Sequence, residues 1–207
     1  MPKPALRIVP PTIEIRKVTP RRPKNAYVGT REYLTEKEVE RLIAGCGDNR
    51  WPLRDQTMIL IAFRHGLRAS ELCDLQWTQV DFEAATLAVT RAKNGTPATH
   101  PLTGRELRAL RRLHRAAEGR SPFLFVSERG SPMTVSNFQK LVAKAGAVAG
   151  LEIKAHPHML RHACGFTLAN AGKDTRSLQA YLGHKNIQHT VRYTELAPTR
   201  FKGWWRD

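Results

Sequence analysis

The stretch His156-Pro157-His158-Met159-Leu160-Arg161-His162 opens a helix that the sequence predicts to run to Asn170-Ala171-Gly172. Proline suits the first turn of a helix, where a missing N–H costs no hydrogen bond, and glycine favours the end. His158 and Arg161 are three residues apart near the start of this helix, so they share one face close to the positive end of the helix dipole. A phosphate group is the ligand that such a face favours.

A second arginine is found upstream, in Gly66-Leu67-Arg68-Ala69-Ser70-Glu71-Leu72. A very apolar segment that starts near Leu53 predicts a buried helix that stops at Gly66, which places Arg68 just beyond the helix end. Arg68 and Arg161 can each donate two parallel hydrogen bonds to phosphate oxygens, a geometry that lysine lacks. Two arginines bound to a phosphate in this way would stabilise a pentacoordinate phosphorus transition state.

Tyr193 is the predicted nucleophile of this site. A phosphotyrosyl ester keeps the bond energy of the phosphodiester, so rejoining would need neither ATP nor a metal. A phenol has a pKa of about 10, so attack requires neighbouring cations or a base. The competing tyrosines are less suited, because Tyr27 and Tyr33 lie near a basic arm and Tyr181 is among apolar helix residues where packing is expected.

Three further groups complete the predicted chemistry. His158 can donate or accept a proton near neutral pH, and His184, just after the helix stop at Gly183, can hydrogen-bond a phosphate oxygen. Lys93, in the turn sequence Lys93-Asn94-Gly95, can reach the leaving 5′ oxygen as a general acid. Each histidine taken singly is more often a capping or packing residue; the functional interpretation depends on their joint occurrence.

Glu71 and His162 are predicted supporting residues. Glu71 lies one helical turn after Arg68 and could orient that arginine or assist His158, but an ordinary surface carboxylate is an equally good interpretation. His162 lies one turn after His158 and could simply brace it. His156, which precedes a proline at the helix entry, is a weaker candidate.

Composition points to a polyanionic partner. The 207 residues include 34 Lys and Arg against 18 Asp and Glu, for a formal net charge of +16. Nucleic acid is the favoured partner, although a ribosomal-type RNA binder or a peripheral membrane protein would have a similar composition. The sequence has neither an 18-residue apolar run nor an apolar signal core, so we expect no membrane association and a cytoplasmic location at the nucleoid.

The cysteine pattern predicts neither disulfides nor a metal centre. Cys46, Cys73 and Cys164 are an odd number at wide spacing, and no zinc-like set surrounds the histidines. We therefore expect buried thiols, no cofactor and no metal.

The predicted fold is mainly α with a small antiparallel sheet (α+β). Capping boxes at Thr35 and Thr103 open helices, and the Asn94-Gly95 pair indicates a hairpin between 86–90 and 96–102. A short strand is predicted at 123–126. Residues 1–31, rich in proline and basic residues, are expected to be a flexible arm before one domain at 32–207, which ends in an aromatic tail.

These residues together resemble the catalytic domain of the tyrosine recombinase (phage integrase) family, over about residues 32–207. The match consists of the Gly66–Leu72 motif, Lys93, His158-Met159-Leu160-Arg161-His162, Leu182-Gly183-His184 and Tyr193. Cys164-Gly165-Phe166 and the tail around Arg200-Phe201 are similar to the short recombinases that invert the promoter element of bacterial type 1 fimbriae.

The resemblance implies a site-specific DNA recombinase acting through a 3′-phosphotyrosyl intermediate and a Holliday junction. Arg68, Lys93, His158, Arg161 and His184 would activate Tyr193. The expected partners are double-stranded DNA with inverted-repeat sites, a homotetramer of the chain on DNA, and DNA-bending accessory proteins. Larger members clamp DNA with an N-terminal helical domain, and we expect the basic arm to substitute for it. Integration or excision of a mobile element, or a non-catalytic DNA-binding regulator, remain alternatives.

Overall fold

The computed structural model describes residues 31–92 and 95–195. Within these ranges the chain forms eight α-helices and one three-stranded antiparallel sheet, which confirms the predicted fold class. The elements are α1 (Glu36–Ala44), α2 (Pro52–Arg64), α3 (Ala69–Cys73), β1 (Val80–Asp81), β2 (Thr86–Val89), β3 (Ala98–Pro101), α4 (Gly104–Ala117), α5 (Val135–Val148), α6 (Pro157–Asn170), α7 (Thr175–Leu182) and α8 (Gln188–Glu195). Residues 1–30 of the predicted arm, Lys93 and the aromatic tail lie outside the described residues.

Two helices that are buried on every side form the centre of the domain. In α2 every residue of 57–63 is buried, and in α6 every residue of 159–166 is buried. Helix α2 packs against α1, α4 and α6, as its apolar sequence predicted. Because residues 159–166 of α6 are covered on every side, two polar residues among them, Arg161 and His162, lie in the interior.

The predicted capping boxes at Thr35 and Thr103 are both present. Helix α3 begins at Ala69, so the cap is Arg68, whose backbone N–H donates to the Glu71 side chain at 2.9 Å. The glutamate satisfies the N-terminal donor that a serine hydroxyl would have served. Arg68 is thus held at the first turn of α3.

The predicted hairpin is formed by β2 and β3, but its loop is wider than the Asn-Gly pair suggested. The last pair of the ladder is Val89 with Ala98, so the loop runs from residue 90 to 97. Within it the N–H of Gly95 donates to the carbonyl of Ala92 at 3.2 Å. The described part of this loop lies beside α3 and α7 rather than extending the sheet.

The strand predicted at 123–126 is absent; only isolated bridges occur there, Gln76 with Phe123 and Val126 with Pro132. The segment bonds to two different neighbours in turn. Leu124 donates to the Leu75 carbonyl, and the Phe125 carbonyl accepts from Met133. A ladder needs one continuous partner, which apolar composition alone does not reveal.

Helix α8 was not predicted. It buries only Thr190 and Tyr193, packing against α6 and α7. An eight-residue helix with two buried positions has too short a pattern to be recognised by periodicity. Its docking on α6 is what brings Tyr193 to the site. No helix among the described residues is long and apolar enough to cross a bilayer.

Candidate active site

A cavity of about 300 Å³ lies where α3, α6, α7 and α8 meet. Five residues proposed from the sequence for catalysis contribute to its wall, together with the supporting His162. The lining includes Arg68, His158, Arg161, His162, His184 and Tyr193. These residues span 126 positions of sequence, from 68 to 193 counted inclusively, and they meet because α6 and α8 pack together beside the α2–α3 turn.

Arg161 is the most buried cation of the cavity wall, with a side chain only 2% exposed. One terminal nitrogen donates to the carbonyl of Gly66 and the other to the carbonyl of Leu182, the latter at 2.7 Å. Burial and the charge of Arg68 lower its pKa to about 10, so the guanidinium remains charged at neutral pH. A guanidinium has five N–H donors, which leaves donors for a ligand.

Arg68 is half-buried and is held by Glu71, whose Oε1 accepts from its guanidinium at 2.6 Å. Glu71 is itself buried and also accepts hydrogen bonds from the backbone of Arg68 and Ala92. Burial alone would raise the pKa of Glu71, but the hydrogen bonds from Arg68 and the charge of Arg91 lower it. The surface interpretation of Glu71 is therefore wrong: this carboxylate is an internal partner of arginines.

Tyr193 is 2% exposed, and its hydroxyl lies 2.8 Å from Nδ1 of His162, which is also buried. The Tyr193 ring meets Phe166 edge to face, with the ring centroids 5.1 Å apart. Its pKa is raised by burial, although the charges of Arg161 and Arg192 oppose the effect. In the protein without DNA the phenol is therefore neutral, and a base has to accept its proton.

His162 is the side chain that contacts the phenol oxygen of Tyr193. Burial and the neighbouring His158 and Arg192 lower its pKa to about 3, so the imidazole is neutral at neutral pH. Nδ1 is the atom that faces the phenol, and it accepts from the hydroxyl in the tautomer that carries its proton on Nε2. His162 therefore contacts Tyr193 directly rather than merely bracing His158, which it meets edge to face at 4.3 Å.

The other two histidines of the cavity differ in exposure. His158 is exposed at the mouth, and its pKa is lowered first by desolvation and then by Arg161. His184 is half-buried, and its Nδ1 lies 2.8 Å from the hydroxyl of Thr190. Desolvation and the charge of Arg161 lower its pKa to about 3. His184 therefore presents a neutral ring whose second nitrogen is available to a ligand.

Two tyrosines and one histidine that the sequence analysis ranked below the chosen site residues do not line the cavity. Tyr181 stacks on His100 at 3.8 Å, and its hydroxyl donates to the Arg64 carbonyl. Tyr33 packs against Phe166, and His156 is the exposed N-cap of α6. Tyr27 and Lys93 lie outside the described residues.

Sequence reasoning missed two cations. Arg91 is fully buried behind the cavity, and Arg192 lines it one residue before Tyr193. Arginine is rarely buried, so nothing in the local sequence distinguishes Arg91 from the other basic residues. Arg192 could have been found only by predicting α8.

Gly165 permits the close approach of Tyr193. A Cβ at this position would lie 2.9 Å from three atoms of the Tyr193 ring. We expect Gly165→Ala to displace the phenol and to lower strand cleavage by roughly 10- to 100-fold, since sub-ångström to 1 Å misplacement of a reacting group has effects of this order. DNA affinity should change little. The measurement is the single-turnover rate of covalent adduct formation beside a binding isotherm.

Gly146→Ala is the matched control for this variant. Gly146 is also buried within a helix, and its Cβ would lie 2.8 Å from the Cβ of Ala155; neither residue lines the cavity. Equal cleavage losses in the two variants would mean that helix strain, and not displacement of Tyr193, explains the effect.

A family model and two similar proteins match most of this chain. The phage integrase family model matches residues 32–200. The chain is 41% identical to the type 1 fimbriae regulatory protein FimB of Escherichia coli (strain K12) over 181 residues, which are 84% of this chain and 90% of that protein. It is 42% identical to FimE of the same strain over 180 residues, 84% of this chain and 91% of that protein.

Solved structures show the same architecture. The crystal structure of XerA recombinase superposes with a TM-score of 0.72 at 27% identity, covering 81% of this chain and 61% of that one. The Tn1549 transposon integrase in complex with transposon right end DNA has a TM-score of 0.68 at 25% identity, covering 79% and 62%. The chain thus spans about three fifths of these larger chains.

Proposed function

Since this chain belongs to the phage integrase family, we propose that Tyr193 attacks a DNA phosphodiester in the cavity described above and that the chain thereby inverts a DNA segment. Membership makes the chain a tyrosine-type site-specific recombinase. The observation that carries the residue assignments is the contact of the Tyr193 hydroxyl with His162, beside Arg68 and Arg161 in one cavity.

The cleavage step can be written with every atom in balance. The phenolic oxygen of Tyr193 bonds to phosphorus, its proton passes to Nδ1 of His162, whose basicity the negative charge of the bound phosphate increases, and the bond from phosphorus to the 5′ oxygen breaks. Lys93 donates a proton to that leaving oxygen. The product is a 3′-phosphotyrosyl ester and a free 5′ hydroxyl, and rejoining is the reverse reaction with a new strand.

Arg68 and Arg161 have the charge-stabilising role. Negative charge on the non-bridging oxygens grows in the pentacoordinate transition state, and donors already fixed in place stabilise it without reorganisation. Arg161 is fixed by two backbone carbonyls and Arg68 by Glu71. His158 and His184 supply further donors to the same phosphate, His158 from the cavity mouth and His184 from its partly buried wall.

Inversion is favoured by identity. The chain is 41–42% identical to the fimbriae regulatory proteins FimB and FimE over most of its length. The motifs around Cys164 and in the tail also resemble recombinases that invert a fimbrial promoter. We propose that the partner is double-stranded DNA with inverted-repeat sites in the nucleoid, bound by four copies of the chain with DNA-bending accessory proteins. Integration or excision is the second candidate, and the likeness to the transposon integrase supports it.

A plasmid reporter in which the candidate sites from the gene's own neighbourhood flank a promoter tests the proposal. With sites in inverted orientation we expect the promoter segment to flip, as read by restriction digestion. With sites in direct orientation, preferred excision would favour the mobile-element alternative. Retardation of the site on a native gel with neither flipping nor a covalent adduct would indicate a non-catalytic regulator instead.

A further inference from the structure

We propose that Arg91 is a positioning residue that holds Arg68 and Arg161 in place for the phosphate by acting through Glu71 and the Gly66 carbonyl. The inference rests on the proposed roles of those two arginines. Arg91 does not line the cavity, and its side chain is 0% exposed. Any contribution to the reaction must therefore pass through the groups that it contacts.

The guanidinium of Arg91 joins three segments of the chain. One terminal nitrogen donates to Glu71 at 3.1 Å and to the Gly66 carbonyl at 3.3 Å. The other donates to the carbonyls of His65, at 3.1 Å, and Tyr181. These acceptors belong to the α2–α3 turn, to α3 and to the end of α7. Arg91 therefore ties the turn that precedes Arg68 to the helix end that precedes His184.

Arg91 and Arg161 share this backbone. The Gly66 carbonyl accepts from both arginines, and they take the successive carbonyls of Tyr181 and Leu182. Arg91 thus holds one acceptor of Arg161 directly, the Gly66 carbonyl, and the other through the carbonyl of the preceding residue, Tyr181. If Arg91 is removed, both acceptors are less firmly held and Arg161 loses its fixed direction.

The Arg91 side chain packs closely against two glycines, Gly183 and Gly95. A Cβ on Gly183 would lie 2.6 to 3.0 Å from Cγ, Cδ and Nε of Arg91, and a Cβ on Gly95 would lie 2.7 Å from its Cβ. Gly183 also has a φ of 65°, which favours glycine for a separate reason. The absence of side chains at these two glycines thus leaves room for Arg91 between the β2–β3 loop and the end of α7.

The positive charge of Arg91 also affects how strongly Arg68 and Arg161 can attract a phosphate. The carboxylate of Glu71 contacts Arg68 at 2.6 Å and Arg91 at 3.1 Å, and Arg161 lies 3.9 Å away. One negative charge is thus shared by three positive ones. Without Arg91 that carboxylate would pair more completely with Arg68 and Arg161, reducing the positive charge that they offer to a phosphate.

The experiment compares Arg91→Met with the wild type on a nicked duplex that traps the covalent adduct. We expect the rate of adduct formation to fall by roughly 10- to 100-fold, the range found when partners that orient a reactive group are lost. The dissociation constant for DNA should stay within about threefold, because Arg91 is buried. Leu42→Ala, a core truncation in α1, is the control for general destabilisation and should keep the wild-type rate in its folded fraction.

A substrate with a methylphosphonate at the scissile position supplies a readout that a purely structural role would not move. Its phosphorus group has no negative charge to neutralise, so fixed arginines matter less. We expect the Arg91→Met defect to shrink to within about threefold of wild type on this substrate. The same defect on both substrates would overturn the proposal, as would a wild-type rate for Arg91→Met on ordinary DNA.

Arg91→Lys keeps the test decisive if the methionine variant does not fold. An ammonium preserves the charge but cannot reach acceptors on three segments at once. Reduced cleavage with retained binding would support positioning, and full cleavage would refute it. If wild-type protein itself forms no adduct, the proposed function fails; if wild type forms the adduct and the Arg91 variants match it, only this inference fails.

Discussion

Tyr193→Phe should form no detectable covalent adduct with a nicked duplex that carries the recombination site. The substitution removes one oxygen atom and with it the nucleophile, so the rate should fall by at least about 10⁴-fold, as expected when an essential member of a catalytic set is lost. The phenol is 2% exposed and shielded by α6, so DNA affinity should remain within about twofold of wild type. The measurement is a denaturing gel for the adduct and a native gel for binding.

Tyr181→Phe is the matched control. Its hydroxyl also donates a hydrogen bond, to the carbonyl of Arg64 at the surface, but it does not line the cavity. This variant should form the adduct at the wild-type rate. An adduct that survives Tyr193→Phe would assign the nucleophile to another residue and would remove the basis of the mechanism.

Arg161→Lys should bind DNA almost normally and cleave it roughly 10²- to 10³-fold more slowly, the loss expected when one preorganised donor to a transition-state oxyanion is removed. The lysine is still a cation, so long-range attraction to DNA persists. However, it has a single nitrogen and cannot bond to the carbonyls of Gly66 and Leu182 while also facing the phosphate. Single-turnover cleavage rates beside binding isotherms separate the two effects.

Arg105→Lys controls for the general effect of replacing an arginine. Arg105 pairs with Glu40 on the surface, through contacts of 2.6 and 2.8 Å, and lies outside the cavity. Cleavage by this variant should equal that of wild type. If Arg161→Lys instead weakened binding and cleavage by the same factor, Arg161 would contribute to DNA affinity rather than to the transition state.

Local chemistry was enough to predict most of the helices. Thr35 and Thr103 each have a glutamate three residues later, and Gly183 ends α7 with a positive φ. These signals act within one turn of chain, so they are readable without knowledge of neighbours. The prediction failed where pairing depends on a distant partner, as at 123–126, or where a helix is short, as in α8.

In the candidate site, too, local features were predicted and contacts between distant segments were not. His158 and Arg161 were placed on one helical face because a spacing of three residues is a local property. The direct contact between His162 and Tyr193 was not foreseen, since it depends on α8 docking across α6. Arg91 was overlooked for a related reason: a charged side chain is expected at the surface until its acceptors are known.

Residue types and short-range spacing thus predicted a set of groups that the fold brings to one cavity: two arginines, three histidines and a tyrosine near the end of the chain. Packing specified what each group can do. Burial of Tyr193 keeps its phenol protonated, the docking of α8 places its hydroxyl against Nδ1 of His162, and the enclosure of Glu71 turns an apparent surface carboxylate into the shared partner of three arginines. Protonation and hydrogen bonding depend on solvent exposure and on distances between residues far apart in the chain, and these exist only once the helices have packed.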